Sequence, residues 1–113
     1  MRILGFSQHW GKLSRDEFTT FRYPRADRDW YLGEAVKVVI QPRRKGGGCY
    51  LGTSEIISKE SKLLEQVTQQ EAIADGFTGW IDMFNWLRKS YDVERLQAEP
   101  MNKLTLRWLN ANT

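Results

Sequence analysis

Cysteine and histidine are scarce in this sequence, which has one of each among its 113 residues. The lone Cys49 excludes an intrachain disulfide, and no CxxC motif or Cys/His pair is present to bind zinc. The lone His9 argues against a histidine-dependent catalytic triad or a two-histidine metal site. We therefore expect a protein that uses no metal and no cofactor.

Long apolar segments are also lacking. No run reaches the roughly 18 apolar residues that a membrane-spanning helix requires. The first 18 residues carry charged side chains throughout, and their apolar stretch is too short for a signal peptide. These features predict a cytoplasmic protein that does not contact a membrane.

The length provides for one domain and leaves little room for a second. An apolar content of 41% with 27% charged residues is typical of a folded globular protein and argues against general disorder. We expect a single domain over residues 1–113 that ends in a frayed tail at residues 110–113.

Positive charge is unevenly distributed along the chain. Lysine and arginine together number 17 against 14 acidic residues, which is a modest excess. Acidic residues are denser between positions 55 and 75, whereas basic residues cluster between 22 and 45. This asymmetry predicts one positive face, which would favour a polyanionic partner. The clustered basic residues are Arg22, Arg25, Arg28, Lys37, Arg43, Arg44 and Lys45.

Apolar and β-branched residues predict strands near both ends of the chain. The strongest signal is at residues 35–41, where three valines and an isoleucine occur within seven positions. Gly52 lies within a predicted strand and indicates a β-bulge there. The predicted strands cover residues 2–6, 19–23, 35–41, 49–58 and 103–109.

Helical signals occupy the middle of the chain. A short helix or turn is predicted within residues 8–17, and Ser61 is placed to cap another turn. Thr68 and Glu71 have the spacing of a capping box, and Gly76 suits the position just after that helix. A further helix, starting at Thr78, presents one apolar face made of Trp80, Met83, Phe84, Leu87 and Tyr91. Strands at both ends with helices between them predict an α+β fold.

The order of these elements resembles the ASCH family of the PUA-like superfamily. The matching segments are TTFR, LGEAVKVV, GTSEII, TQQEAIADGF, the aromatic helix ending at Tyr91, and KLTLRWL. The resemblance implies a small PUA-like β-barrel of about five to six strands with two to three helices packed on it. It also implies a role in RNA binding or in processes linked to RNA.

Some small members of that family hydrolyse an acetyl amide on modified cytidine. They carry a lysine, a threonine three residues later, and an acidic residue at the end of the first helix. On this chain the resemblance places the threonine at Thr20 and the acid at Asp75, but the lysine position holds Glu17. Lys12, in the preceding helical turn, is the alternative lysine. The catalytic candidates are therefore Lys12, Thr20 and Asp75, and Glu17 leads us to expect no appreciable deacetylation.

Several residues are candidates for ligand contact. Thr20 and Arg22 share one face of their strand because side chains alternate. Trp10 and Trp30 lie in polar stretches, where an indole can stack on a base or pack against the barrel. Four further basic residues are candidates for contact with phosphate groups. They are Arg25 and, at the hairpin tip, Arg43, Arg44 and Lys45.

Three functional interpretations remain open. The leading one is a module that binds RNA, another nucleic acid or a nucleotide in a basic cleft beside the TTFRY strand. The first alternative is a small metal-independent hydrolase, either an acetylcytidine-type amidohydrolase or a ribonuclease. The second alternative is a protein-interaction module.

Overall fold

In the computed structural model, which describes residues 1–111, the chain forms an α+β fold. A curled five-stranded sheet is combined with three α-helices and two short 3-10 helices. The strands are β1 (Arg2–Phe6), β2 (Glu17–Arg22), β3 (Ala35–Ile40), β4 (Cys49–Lys62) and β5 (Met101–Ala111). The α-helices are α1 (Gln69–Ala74), α2 (Trp80–Leu87) and α3 (Val93–Ala98), and the 3-10 helices are Gly11–Ser14 and Leu64–Gln66. The predicted α+β class is confirmed.

The strands follow the order β1-β3-β4-β5-β2 across the sheet. Only the β1–β3 pair is parallel, and the other three pairs are antiparallel. Strands β1 and β2 therefore form the two edges of a half-barrel. The Arg22 guanidinium spans these edges and donates a hydrogen bond of 2.6 Å from Nη2 to the Gly5 carbonyl.

Strand β4 carries the bulge that Gly52 predicted. Val38 pairs with Gly52, and the next residue, Val39, pairs with Tyr50, so Leu51 is an extra residue on β4. Gly52 has a φ of 147°, which glycine adopts more easily than other residues. A bulge bends and twists its strand, and this one contributes to the curl of the sheet.

Two hydrophobic clusters form the core. One lies inside the curled sheet, and Leu4, Val36 and Leu106 are fully buried in it. The other lies between the sheet and the helices, around Met83 and Leu96. The Trp10 ring packs against both clusters, so the segment after β1 is fixed at their junction.

Helix α1 begins and ends where the sequence predicted. Thr68 Oγ1 accepts a hydrogen bond from the Glu71 N–H, and the Glu71 carboxylate accepts one from the Thr68 N–H, each at 3.0 Å. Gly76 follows the helix with a φ of 115°, and a Cβ there would lie 2.8 Å from Trp10 Cε3. Glycine is therefore required at this position, and Asp75 at the helix end is held close to Trp10.

The next helices differ from the prediction in their bounds. Strand β4 continues to Lys62, so Ser61 belongs to a strand and caps no helix. Helix α2 begins after Gly79 and ends at Leu87, so Tyr91 lies beyond it. Helix α3 has six residues, too few for its amphipathic period to be read from the sequence.

The closing strand is longer than predicted at its end. The sequence pattern placed a frayed tail at residues 110–113, but Asn110 pairs with Thr53 and Ala111 with Gly52. Residues 112–113 of the predicted tail lie outside the described part. Within residues 1–111 no helix is long and apolar enough to cross a membrane.

Candidate functional site

A cavity of about 250 Å³ opens between the end of β1, strand β2 and helix α2. Six of its fifteen lining residues are aromatic, and its polar groups come from elements far apart in the sequence. The aromatic lining residues are Phe6, Trp10, Phe21, Phe77, Trp86 and Tyr91. The polar ones are Ser7, Lys12, Thr20, Arg22, Asp75 and Ser90. We refer to this space as the aromatic cavity.

Lys12 and Asp75 form a buried ion pair in the wall of the aromatic cavity. Lys12 Nζ donates a hydrogen bond of 3.1 Å to Asp75 Oδ1, and the two side chains are only 3% and 7% exposed. The lysine comes from the 3-10 helix Gly11–Ser14, and the aspartate is the C-cap residue that follows α1. Nζ also lies 5.4 Å and 5.5 Å from the ring centroids of Phe6 and Trp10. Both rings face the ammonium group and shield it from water.

Burial acts on both members of this pair. It lowers the pKa of Lys12, although the attraction of Asp75 opposes the change. It raises the pKa of Asp75 against the attraction of Lys12 and the hydrogen bond from Thr19. The two shifts bring the proton affinities of the amine and the carboxylate closer together, a property often found at functional sites.

Thr19 is a site residue that the sequence interpretation missed. Its Oγ1 donates a hydrogen bond of 3.0 Å to Asp75 Oδ1, the same oxygen that accepts from Lys12. Alternation along β2 puts Thr19 and Thr20 on opposite faces, and only Thr20 was selected. The contact depends on how the end of α1 sits against β2, which no local sequence signal reports.

Arg22 carries a positive charge that is not hydrogen-bonded to any carboxylate within the described residues. Its Nε donates to Thr20 Oγ1 at 3.0 Å and its Nη2 donates to the Gly5 carbonyl. The guanidinium carbon lies 4.8 Å from the centroid of the Phe6 ring. Within residues 1–111 no carboxylate forms an ion pair with it, and burial lowers the pKa of Arg22. A partly buried cation with only neutral acceptors is poised to bind an anion or a polarised carbonyl.

The structure thus brings together half of the ten residues selected from the sequence. Lys12, Thr20, Arg22, Asp75 and Trp10 all line the aromatic cavity. Thr20 and Asp75 are buried, at 4% and 5% exposure, and both line the cavity.

The remaining selected residues lie elsewhere. Arg43 and Arg44 line a neighbouring cavity, while Lys45, on the same loop, is exposed and lines neither space. Arg25 is exposed and pairs with Asp27 at 3.0 Å. Glu17 is also exposed and is not part of the cavity wall.

Trp30 was a candidate for base stacking, and the structure places it in the core instead. It is 4% exposed and packs in the cluster inside the sheet. The guanidinium carbons of Arg2 and Arg25 cover its ring at 4.6 Å and 5.3 Å from the centroid. A ring enclosed in this way offers no free face to a base.

The described residues contain no group of three or more His, Cys, Asp or Glu side chains that could hold a metal ion. Comparisons of the chain with protein-family models, curated proteins and solved structures gave no match. The interpretation of the site therefore depends on its geometry and on the sequence pattern.

Proposed function

We propose that the aromatic cavity binds the base of a nucleotide, either free or within single-stranded RNA or DNA. The observation that carries this proposal is the pairing of aromatic walls with the guanidinium of Arg22, which hydrogen-bonds to the neutral Thr20 Oγ1 and Gly5 carbonyl. Nucleic-acid-binding proteins hold unstacked bases between aromatic rings and read their edges with polar side chains. The aromatic cavity combines both kinds of group in one space.

The size of the cavity favours a single ring system. Pockets for drug-sized molecules have volumes of roughly 300–1,000 Å³. At about 250 Å³ the aromatic cavity is smaller, and a base with part of its sugar would fill it. A larger ligand would have to extend outside it.

The polar residues have complementary roles in this proposal. Arg22 donates to a ring carbonyl or to a phosphate oxygen. Thr20 Oγ1 accepts a hydrogen bond from the Arg22 Nε and so orients the guanidinium. Asp75 has one carboxylate oxygen that accepts from Lys12 and Thr19, and its other oxygen is available to an amino group of the base. Trp10 and Trp86, whose ring centroids lie 5.2 Å apart in an edge-to-face arrangement, supply aromatic surface to the cavity wall.

We also propose that the half-barrel belongs to the PUA-like architecture of the ASCH family, with RNA as the partner class. The segments that carry this resemblance correspond to β2, β3, β4, α1, α2 and β5. The support is the order of the elements together with the position of Thr20 and Asp75 at one cavity.

The proposal is tested by calorimetric titration of the four ribonucleoside monophosphates into the wild-type protein and two variants. Arg22→Met removes the unpaired charge and keeps much of the side-chain volume. Lys37→Met removes an exposed charge from β3, away from the cavity, and is the control. We expect at least one nucleotide to bind, and its affinity to fall about tenfold or more in Arg22→Met alone. Absence of binding to all four, or equal affinity in Arg22→Met, would contradict the proposal.

Amide hydrolysis on a modified nucleoside is a second candidate, favoured by the position of Lys12. The hydrolases that the chain resembles carry a lysine at the position that Glu17 occupies here, and the Glu17 side chain is exposed. Lys12 instead brings an amine of lowered pKa to the same cavity as Thr20 and Asp75. Arg22 Nε donates to Thr20 Oγ1 and would stabilise negative charge on that oxygen during attack on a carbonyl.

A further inference from the structure

A second cavity, of about 410 Å³, adjoins the aromatic cavity. Gly5, Phe6, Ser7 and Arg22 line both spaces, so the two are separated only by this shared wall. The rest of its lining comes from the loop after β3 and is Gln41, Pro42, Arg43 and Arg44. Three arginines and no acidic residue surround this space, which we call the arginine cavity.

The loop that carries two of these arginines is fixed to the end of β1. The Gln41 N–H donates to the Phe6 carbonyl at 2.7 Å, and Gln41 Nε2 donates to the Ser7 carbonyl at 3.3 Å. The Arg44 N–H donates a hydrogen bond of 3.0 Å to the Gln41 carbonyl and closes a turn. Pro42 packs so closely on Gly5 that a Cβ at position 5 would lie 2.7 Å from Pro42 Cγ. The base of the loop is therefore anchored to β1, and the Arg44 backbone is held by the turn that starts at Gln41.

The arginines around the arginine cavity form no ion pair with a carboxylate of the described residues. Arg43, Arg44 and Arg22 take part in none of the ion pairs formed within residues 1–111, whereas Arg25 pairs with Asp27 and Arg95 with Glu99. Like charges grouped around one space repel each other unless an anion lies between them. Guanidinium groups match the geometry of phosphate oxygens and bind them through paired hydrogen bonds.

We infer that the arginine cavity is a phosphate subsite. When a base occupies the aromatic cavity, the phosphate of the same nucleotide binds between Arg22, Arg43 and Arg44. This inference rests on the proposed binding of a base in the aromatic cavity. It specifies the ligand further, as a nucleotide and not a nucleoside. The phosphate belongs either to a free nucleotide or to a nucleic-acid strand.

The test compares matched ligands that differ only in the phosphate. A nucleoside and its 5′- and 3′-monophosphates are titrated calorimetrically at about 50 mM salt, where screening is modest. The proteins are wild type, Arg43→Ala, Arg44→Ala and the control Lys37→Ala, which removes an exposed charge outside both cavities. We expect one monophosphate to bind about tenfold or more tightly than the nucleoside. Arg43→Ala and Arg44→Ala should remove this preference and leave nucleoside affinity unchanged, and Lys37→Ala should keep it.

The outcomes separate the subsite from the base site. Equal affinity for the nucleoside and both monophosphates would overturn the phosphate subsite while leaving the base site in place. A preference that survives in both arginine variants would also overturn it. Absence of binding by all three ligands would remove the base site and the subsite together. Titration with a short single-stranded RNA distinguishes the two sources of the phosphate. If a phosphate of the strand occupies the arginine cavity, Arg44→Ala lowers the affinity for the RNA, and if only a free nucleotide binds there, the affinity stays unchanged.

Discussion

Lys12 Nζ and Asp75 Oδ1 lie 3.1 Å apart although 63 residues separate them in the sequence. This contact joins the turn after β1 to the end of α1 and completes the wall of the aromatic cavity. Taking both charges out of water is costly, and their mutual attraction offsets that cost only when both are present. The pair is thus both a structural link and the central polar feature of the site.

Removing one member of this pair should destabilise the protein strongly. Lys12→Met leaves a buried carboxylate, and Asp75→Asn leaves a buried ammonium group, so each should lower the free energy of unfolding by roughly 3–5 kcal/mol. The double variant should lose less than the sum of the two, because neither charge is left alone. Urea unfolding of the four proteins measures this. Additive losses would show that the two groups do not interact energetically.

Glu71 should make stability depend on pH in acid. Burial raises its pKa, but hydrogen bonds from Lys103, Lys62 and the Thr68 N–H prevail, and its pKa is lowered from 4.5 to about 2. Its stabilising contribution is complete above the unfolded-state pKa and is lost as the pH falls through the folded-state value. The shift corresponds to about 3 kcal/mol at neutral pH as an upper bound, since solvent screens these partly exposed charges and reduces the contribution. The difference in unfolding free energy between wild type and Glu71→Gln should therefore shrink as pH falls from about 5 to about 2. A constant difference over that range would contradict the role of Glu71.

The elements around the site were largely predictable from local patterns. The capping box at Thr68, the glycine at Gly76 and the bulge at Gly52 each follow from the chemistry of one short segment, and each is present. The same holds for the valine-rich strand β3. Each of these features depends on residues that are neighbours in the sequence, so each can be predicted from the sequence alone.

The polar contacts of the site were only partly predictable. Lys12 was the alternative to the lysine that is absent at position 17. No local sequence pattern indicated that it is buried against Asp75. Thr19 was missed because its partner lies 56 positions away. For Trp30 the polar stretch left both base stacking and packing open, and the structure shows packing, in the core cluster with Arg2 and Arg25 over the ring. Such contacts follow from packing between distant elements, which periodicity does not encode.

Binding to single-stranded nucleic acid should depend steeply on salt. Each phosphate contacted by a basic side chain releases counterions, so the affinity falls as salt rises. Replacing Arg43, Arg44 and Lys45 together by alanine should flatten this dependence, because all three are exposed on one loop. Fluorescence anisotropy with a labelled RNA from about 20 to 200 mM salt measures the slope. An unchanged slope in the triple variant would place the contacts elsewhere, and no binding at low salt would favour a protein-interaction module.

Hydrolysis of acetylcytidine distinguishes an enzyme from a binding module. If Lys12 replaces the lysine that is absent at position 17, wild type should release acetate, and Lys12→Ala and Thr20→Ala should each abolish turnover. Loss of a general base or an oxyanion donor typically lowers the rate by roughly 10²–10⁴-fold. Glu17→Ala is the control, since its exposed side chain lies outside the cavity, and it should keep the activity. Absence of acetate release by wild type would exclude deacetylation of this substrate.

The indole N–H resonances of the tryptophans test ligand binding in the aromatic cavity most directly. Trp10 and Trp86 line the cavity, whereas Trp30 is enclosed in the core and the Trp80 Nε1–H is bonded to the Leu64 carbonyl at 2.9 Å. With the indole resonances assigned by single substitutions, each ribonucleoside monophosphate is titrated into the nitrogen-15-labelled protein. We predict that at least one nucleotide shifts the Trp10 and Trp86 resonances with a common dissociation constant, and that the Trp30 and Trp80 resonances stay in place. No shift with any of the four nucleotides, or shifts confined to tryptophans outside the cavity, would contradict base binding at this site.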